Sequence, residues 1–107
     1  MNAERVRDLN DAFRRTFTGG RVVMTAGLAA LPADTRGKAL VEVQSFNAFT
    51  ADSDPHGEHD FGSFEIDGRK FFWKIDYFDA AMQYGSEDPA DSSKTTRVLT
   101  IMLASEY

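Results

Sequence analysis

A two-residue reversal at Asp67-Gly68 is the feature of this sequence that most constrains its fold. Two aromatic-rich runs, residues 61–66 and 69–78, flank the dipeptide. Asp-Gly suits a type I′ turn, in which both central residues take positive φ and whose twist matches that of two paired strands. A two-residue loop also sets the register of the pair, because a slip by one residue would exchange the two faces of each strand. The sequence therefore predicts a β-hairpin here.

Alternation along the hairpin gives its two faces different compositions. In the register set by the turn, Trp73 lies opposite Gly62, which leaves room for the indole. The predicted inner face consists of Phe64, Ile66, Phe71, Trp73, Ile75 and Tyr77. The other face places Glu65 opposite Lys70, an opposite-charge pair that suits a partly wet surface. We therefore expect helices to cover the Trp73 face.

The remaining segments predict an α+β fold. Helical spacing of apolar residues indicates helices over residues 4–17 and 33–48, and apolar β-branched runs indicate strands over 21–25 and 95–105. The segment 26–31 is interpreted as a close turn. The last strand is apolar on both faces, which predicts an interior position in the sheet. The order α-β-α-β-β-β favours two helices packed on one face of a mostly antiparallel four-stranded sheet.

Length and composition limit the class of protein. A chain of 107 residues is expected to form a single domain, residues 1–107. It has no cysteine, which excludes disulfides and thiolate metal sites. Its N-terminus is charged and lacks the apolar region of a secretory signal. No apolar run approaches the ~20 residues that span a bilayer. We therefore expect a cytoplasmic protein without a membrane segment.

The charge is unevenly distributed along the chain. The net charge is −5, and residues 50–91 hold eleven acidic residues against three basic ones. Direct nucleic-acid binding is not expected, because neutralising phosphates requires Lys and Arg. Acidic stretches are commonly just solvated, but this one could also attract a basic partner. A further hypothesis is an acidic mimic of nucleic acid, which requires these acids to line one continuous face.

Both histidines lie in the polar loop before the hairpin. Imidazole and carboxylate are ligands for zinc, manganese or iron. One hypothesis is therefore a small metal-dependent enzyme in which His56, His59 and Asp60 hold a divalent metal and Glu58 or Asp76 acts as the base. The alternatives are a structural hydrogen-bonding loop and a partner-binding or substrate-binding loop. Asp76 also has a structural interpretation, as part of a salt-bridged sheet face.

Aromatic side chains on the outer face of the hairpin favour a different function. Phe61, Phe72 and Phe78 would form an apolar patch if no helix covers that face. Aromatic residues are enriched in the cores of protein–protein interfaces. The preferred interpretation is a non-enzymatic interaction module that binds a protein partner or a second copy of itself, without a cofactor.

Several segments carry a family resemblance. FWKIDYFD in the hairpin, DPHGEHDFG before it and RVLTIMLASEY in the last strand resemble a small bacterial family of unknown function. That family is found mainly in alphaproteobacteria and often on plasmids. The resemblance implies a cytoplasmic, single-domain bacterial protein. It carries over no activity, cofactor or catalytic residue.

Overall fold

The computed structural model describes residues 2–107, and this part of the chain forms three α-helices and four strands. The helices are α1 (Ala3–Thr16), α2 (Ala26–Ala29) and α3 (Ala33–Ser45). The strands are β1 (Gly20–Met24), β2 (Phe61–Ile66), β3 (Arg69–Phe78) and β4 (Thr96–Leu103), and a 3₁₀ turn, Ala104–Glu106, follows β4. The predicted α+β class is confirmed.

The hairpin forms in the predicted register. Asp67 and Gly68 have φ values of 52° and 78°, the two positive values that a type I′ turn needs. Gly62 pairs with Trp73 and Phe64 with Phe71 across the two strands. The turn and the alternation of side chains were therefore enough to place every residue of this pair.

The sheet is mixed, with strand order β1-β4-β3-β2. β2, β3 and β4 form an antiparallel meander, and β4 has the interior position that its sequence predicts. β1 runs parallel to β4, so the sheet is not purely antiparallel. No tight turn links these two strands. Their relative direction is therefore set by how the intervening chain packs, which sequence pattern does not reveal.

The helices cover the Trp73 face of the sheet. Leu28 of α2 and Val43 of α3 are buried in one cluster with Trp73, Leu99 and Ile101. The segment predicted as a close turn is therefore a short helix that contributes a core side chain. On the opposite face, no α-helix of residues 2–107 packs, and Tyr107, which follows the 3₁₀ turn, contacts the rings of Phe61 and Phe72 there.

Two helix ends differ from their predictions. α1 ends at Thr16, one residue before the predicted end at residue 17, because Phe17 takes the left-handed conformation (φ 56°). α3 ends at Ser45 and not at residue 48, because Phe46 becomes extended. Its ring then lies 5.5 Å from Trp73 in an edge-on contact. The aromatic contact with the sheet takes precedence over another turn of helix.

Candidate functional site

A network of hydrogen bonds surrounds Tyr77 at the end of the inner face of β3. The Asn10 side-chain amide donates to the Tyr77 hydroxyl at 2.8 Å and to the Glu58 carbonyl at 2.9 Å. The same hydroxyl lies 3.5 Å from Glu58 Oε1 and 3.4 Å from Asp60 Oδ2. One phenol therefore joins α1, the loop before the hairpin and the sheet.

Buried Arg97 sets the orientation of this network. Its Nε donates to Asn10 Oδ1 at 2.7 Å, and its Nη2 donates to the Pro89 carbonyl. The guanidinium carbon lies 5.3 Å from the centre of the Tyr77 ring. Because a guanidinium only donates, the atom of Asn10 that it meets must be the oxygen. The Asn10 nitrogen is therefore the atom that faces Tyr77 and Glu58.

An open pocket lies above this network. Its volume is about 410 Å³, and it is lined by Ala3, His56, Glu58, Tyr77 and Pro89. Its walls thus come from the first turn of α1, the loop before the hairpin, the inner face of β3 and the loop before β4. A volume above about 300 Å³ lies within the range of small-molecule sites in proteins.

The two carboxyls beside Tyr77 bind their protons more tightly than usual. Burial is the largest cause for both: it raises the pKa of Glu58, with Asp60 adding repulsion, and it raises the pKa of Asp60, with Asp54 adding repulsion. Burial also raises the pKa of the Tyr77 phenol. Within residues 2–107, no Lys, Arg or His nitrogen forms a salt bridge with Glu58 or Asp60.

His59 anchors the loop before the hairpin to α1. Its Nδ1 lies 2.9 Å from Asp11 Oδ1, and its Nε2 lies 3.6 Å from Asp54 Oδ2. The imidazole stacks on Phe49 with the ring centres 3.7 Å apart and the planes 2° from parallel. Asp54 Oδ1 also accepts from the backbone N–H groups of Glu58 and His59, both at 3.1 Å. This part of the loop is a structural element.

Asp11 connects that anchor to a buried arginine. Arg14 Nη2 lies 3.0 Å from Asp11 Oδ1, and Arg14 Nη1 donates to the Val43 carbonyl at 2.9 Å. Burial alone would raise the pKa of Asp11. The hydrogen bonds and positive charges of His59 and Arg14 outweigh it and lower that pKa below its ordinary value. Asp11 is therefore an ionised junction between α1, α3 and the loop.

The structure separates the predicted metal ligands. His56 lines the pocket, whereas His59 points to Asp11 and stacks on Phe49. In residues 2–107, no group of three or more His, Asp or Glu side chains is arranged to hold a metal ion. His56, His59 and Asp60 thus do not form one ligand set. Their metal role stays a prediction without a supporting observation.

The two candidate bases lie on opposite faces of the sheet. Glu58 is beside Tyr77, whose side chain points to the helix-covered face. Asp76 precedes Tyr77 in β3 and points the other way, where it forms an ion pair of 2.8 Å with Lys74. The salt-bridged interpretation of Asp76 therefore describes its place in the structure. Acids also lie on both faces, so a continuous acidic surface of the kind that a nucleic-acid mimic requires gains no support.

The helix-free face carries an aromatic cluster. The rings of Phe61 and Phe72 are 5.3 Å apart, and the Tyr107 ring lies 5.8 Å and 5.2 Å from them. Met102, the cross-strand partner of Phe72, is buried beside them. Phe78 lies six residues along β3 from Phe72, about 20 Å away at the rise of an extended strand, so it does not join the cluster. Two of the three predicted rings meet here.

Both positively and negatively charged side chains border the aromatic cluster. Lys70 lies over the Phe72 ring at 5.3 Å from its centre and is paired in register with Glu65. The ion pair of Lys74 and Asp76 follows along the same strand. The helix-free face therefore combines apolar rings with a rim that is close to neutral.

Sequence reasoning missed the buried polar side chains that connect the helices to the rest of the fold. Asn10 and Arg14 were not singled out, although their spacing from Val6 places them on the apolar stripe of α1. Arg97 lies two residues before buried Leu99 in β4, and side chains two residues apart in a strand point to the same face, so Arg97 is expected to point inward. A polar side chain at an inward-facing position was the available signal. Tyr107, at the end of the sequence, offered no periodic signal at all.

Comparison with protein-family models finds a match to a family described as protein of unknown function (DUF3768), over residues 24–106. No curated protein and no solved structure matches the chain. The matched region contains β2, β3 and β4 and thus most of the pocket and the aromatic cluster, whereas α1 lies before it. A helix with the length and apolar character of a membrane span is not found in residues 2–107.

Proposed function

The chain belongs to the DUF3768 family of proteins of unknown function, and we propose that it is a non-enzymatic interaction module whose helix-free sheet face binds a second copy of the same chain. The observation that carries this proposal is the cluster of Phe61, Phe72 and Tyr107 on a face that no helix of residues 2–107 covers. Aromatic clusters of this kind are typical of interface cores.

The charges around the cluster favour a second copy as the occupant. In a two-fold symmetric dimer the same patch meets itself, so the patch must be self-complementary. Lys70 with Glu65 and Lys74 with Asp76 place one positive beside one negative charge along the hairpin. Such a face meets its own copy without net repulsion. A strongly basic or strongly acidic partner would find no matching excess of charge here.

The size of the face also suits a dimer. Four strands about 4.8 Å apart and up to ten residues long, at about 3.3 Å per residue, give a face on the order of 20 by 30 Å. A standard stable interface buries about 800 Å² per partner. The face and the side chains along its rim are therefore large enough to supply most of one such interface.

The test is the oligomeric state in solution, with a matched pair of variants. Size-exclusion chromatography with light scattering is expected to give about twice the chain mass of 11.9 kDa. Tyr107→Ser removes one ring of the cluster and should raise the dimer dissociation constant by about tenfold or more, as loss of an aromatic hot spot does. Tyr84→Ser is the control, because Tyr84 is 72% exposed and Tyr107 73%, but Tyr84 lies outside the cluster.

A wild-type chain that stays monomeric at every concentration would remove the proposal. Equal effects of the two tyrosine substitutions on the dissociation constant would also contradict it. Phe72→Ser provides a second variant within the cluster, and circular dichroism checks that each variant keeps its fold.

A further inference from the structure

We propose that the pocket above Tyr77 binds a small organic cation, a primary ammonium group on an apolar body, with the Glu58 carboxylate as its ion-pair partner. The inference is independent of the dimer, because the pocket and the aromatic cluster lie on opposite faces of the sheet. Its first support is the shape and chemistry of the lining. Ala3, Pro89 and the Tyr77 ring provide apolar walls, and the Glu58 carboxylate provides a charged group.

The second support is a pair of carboxyls that have no salt-bridge partner and whose raised pKa values the charge of His56 offsets only in part. Glu58 and Asp60 both lie within 3.5 Å of the Tyr77 hydroxyl, and neither has a salt-bridge partner among residues 2–107. Buried Arg97 forms no salt bridge with either carboxyl, and its Nε and Nη2 donate to Asn10 and to the Pro89 carbonyl instead. Burial is the largest cause of the raised pKa of both carboxyls, and neighbouring acids add repulsion that a positive group in the pocket would offset.

The geometry favours an ammonium group over a metal ion. An ammonium has three donors and can meet the Glu58 carboxylate and the Tyr77 oxygen, both of which belong to residues that line the pocket. Zinc sites take three or four protein ligands, and no group of three or more His, Asp or Glu side chains that could hold a metal ion occurs in the described residues. The apolar walls would contact the organic body of the ligand.

The pocket is held in place before any ligand binds. Asn10 and Arg97 are buried and bonded to each other, and together they fix the Tyr77 hydroxyl. Asp54 holds the backbone of the loop at Glu58 by a hydrogen bond of 3.1 Å. A binding group supported in this way loses little conformational freedom when a ligand arrives, which favours affinity.

The test uses benzylamine as the probe and amide chemical shifts in NMR as the readout. The titration is made at about pH 8, well above the ordinary pKa range of carboxyl groups. Benzylamine is expected to cause saturable shifts at Ala3, Glu58 and Tyr77. Benzoate has a comparable body with a negative charge and benzyl alcohol has no charge, and neither should cause saturable shifts.

Two substitutions separate the pocket from the general acidity of the chain. Glu58→Gln should weaken benzylamine binding by about tenfold or more, and the variant should fold, since Gln is close in shape to the protonated side chain that burial favours. Glu42→Gln makes the same change in charge at an exposed position on α3 and should leave the affinity unchanged. Ala3→Leu narrows the pocket from a different element and should also weaken binding.

The proposal is overturned if benzylamine gives no saturable shifts in the wild-type protein. Equal weakening by Glu42→Gln would show attraction to the acidic chain as a whole. Equal binding of benzyl alcohol would show an apolar pocket without the ion pair. None of these outcomes bears on the oligomeric state, so either proposal can be contradicted without affecting the other.

Discussion

At the scale of single residues, the fit between Gly62 and Trp73 decides how β2 packs. A Cβ at Gly62 would lie 2.4 Å from Trp73 Nε1 and 2.7 Å from Phe46 Cζ. Heavy atoms do not approach that closely, and Trp73 is fully buried with no room to turn away. Glycine is thus required at this position because it has no Cβ to collide with Trp73 and Phe46. The hairpin register brings the smallest residue of one strand opposite the largest of the other.

Substitution of Gly62 tests this fit. Gly62→Ala should lower the free energy of unfolding by about 1–3 kcal/mol, the range for overpacking a core. Gly37→Ala is the matched control, because nothing lies within 4 Å of a Cβ at that position in α3, and alanine is favoured in helices by up to about 1 kcal/mol. Urea denaturation should therefore shift in opposite directions for the two variants. A neutral Gly62→Ala would mean that the indole has space to move.

Asp60 shows how a single carboxyl makes stability depend on pH. Its pKa in the folded protein is raised, first by burial and then by Asp54. The folded state therefore binds this proton more tightly than the unfolded state. The contribution of Asp60 to stability is full below the unfolded pKa, about 3.9, and is lost as pH rises through the folded pKa.

An uncharged replacement of Asp60 should remove that loss. Asp60→Asn is expected to melt at a higher temperature than the wild type at pH 7, and the difference should disappear as pH falls toward the unfolded pKa. Asp52→Asn, at an exposed position earlier in the same loop, should not show this pH-dependent gain. Thermal melts over a pH series measure both. A lower melting temperature for Asp60→Asn at pH 7 would show that the carboxylate stabilises the fold through its hydrogen bonds.

At the scale of elements, Arg14 joins α1 to α3. Its guanidinium donates to the carbonyls of Val43 and Gln44 in the last turn of α3, where acceptors are left without helical partners. The positive charge there also favours the negative end of the helix dipole. Its Nε has no hydrogen-bond partner in residues 2–107, but the guanidinium lies 5.4 Å from the Trp73 ring centre. Buried Arg14 therefore links α1 to α3 at a position where an apolar side chain would otherwise make the contact between the two helices.

Substitution of Arg14 should weaken the packing of α1 against α3. Arg14→Ala is expected to lower the free energy of unfolding by about 3 kcal/mol or more, because it removes a buried charged partner of Asp11 and the side-chain donor to the Val43 and Gln44 carbonyls. Arg15→Ala is the control, since the Arg15 side chain is 65% exposed and its Nη2 lies as far as 4.0 Å from Asp11 Oδ2. Its loss should lower the free energy of unfolding by less than about 1 kcal/mol. Chemical denaturation compares them. Similar costs for both would mean that α1 is held by its apolar stripe alone.

At the scale of the whole molecule, the fold has one covered and one open sheet face. The helices bury the face of Trp73, and the pocket lies beside Tyr77 at the end of that face. The open face keeps its aromatic cluster and near-neutral rim although the chain has a net charge of −5. This division assigns a ligand pocket and a dimer surface to opposite faces of one small sheet.

Local signals predicted most of the secondary structure and little of the site. The turn at Asp67-Gly68 and the alternation around Trp73 depend on neighbours in sequence, and the hairpin was placed residue by residue. Glu58 was named as a base and Asp60 as a metal ligand, but their partner Tyr77 was counted only as a core residue. Phe46 left its helix for a contact across the core, which no local propensity predicts.

The sequence alone determined the α+β class, the hairpin register, the interior position of the last strand and the room that Gly62 leaves for the indole. These properties follow from turn chemistry and from the period of two along a strand, which act between residues close in the chain. Only the tertiary structure decided the parallel direction of β1, the meeting of Asn10, Tyr77 and Arg97, and the separation of His56 from His59. Those outcomes depend on contacts between segments tens of residues apart, whose relative position is set by packing of the whole core and not by any local pattern.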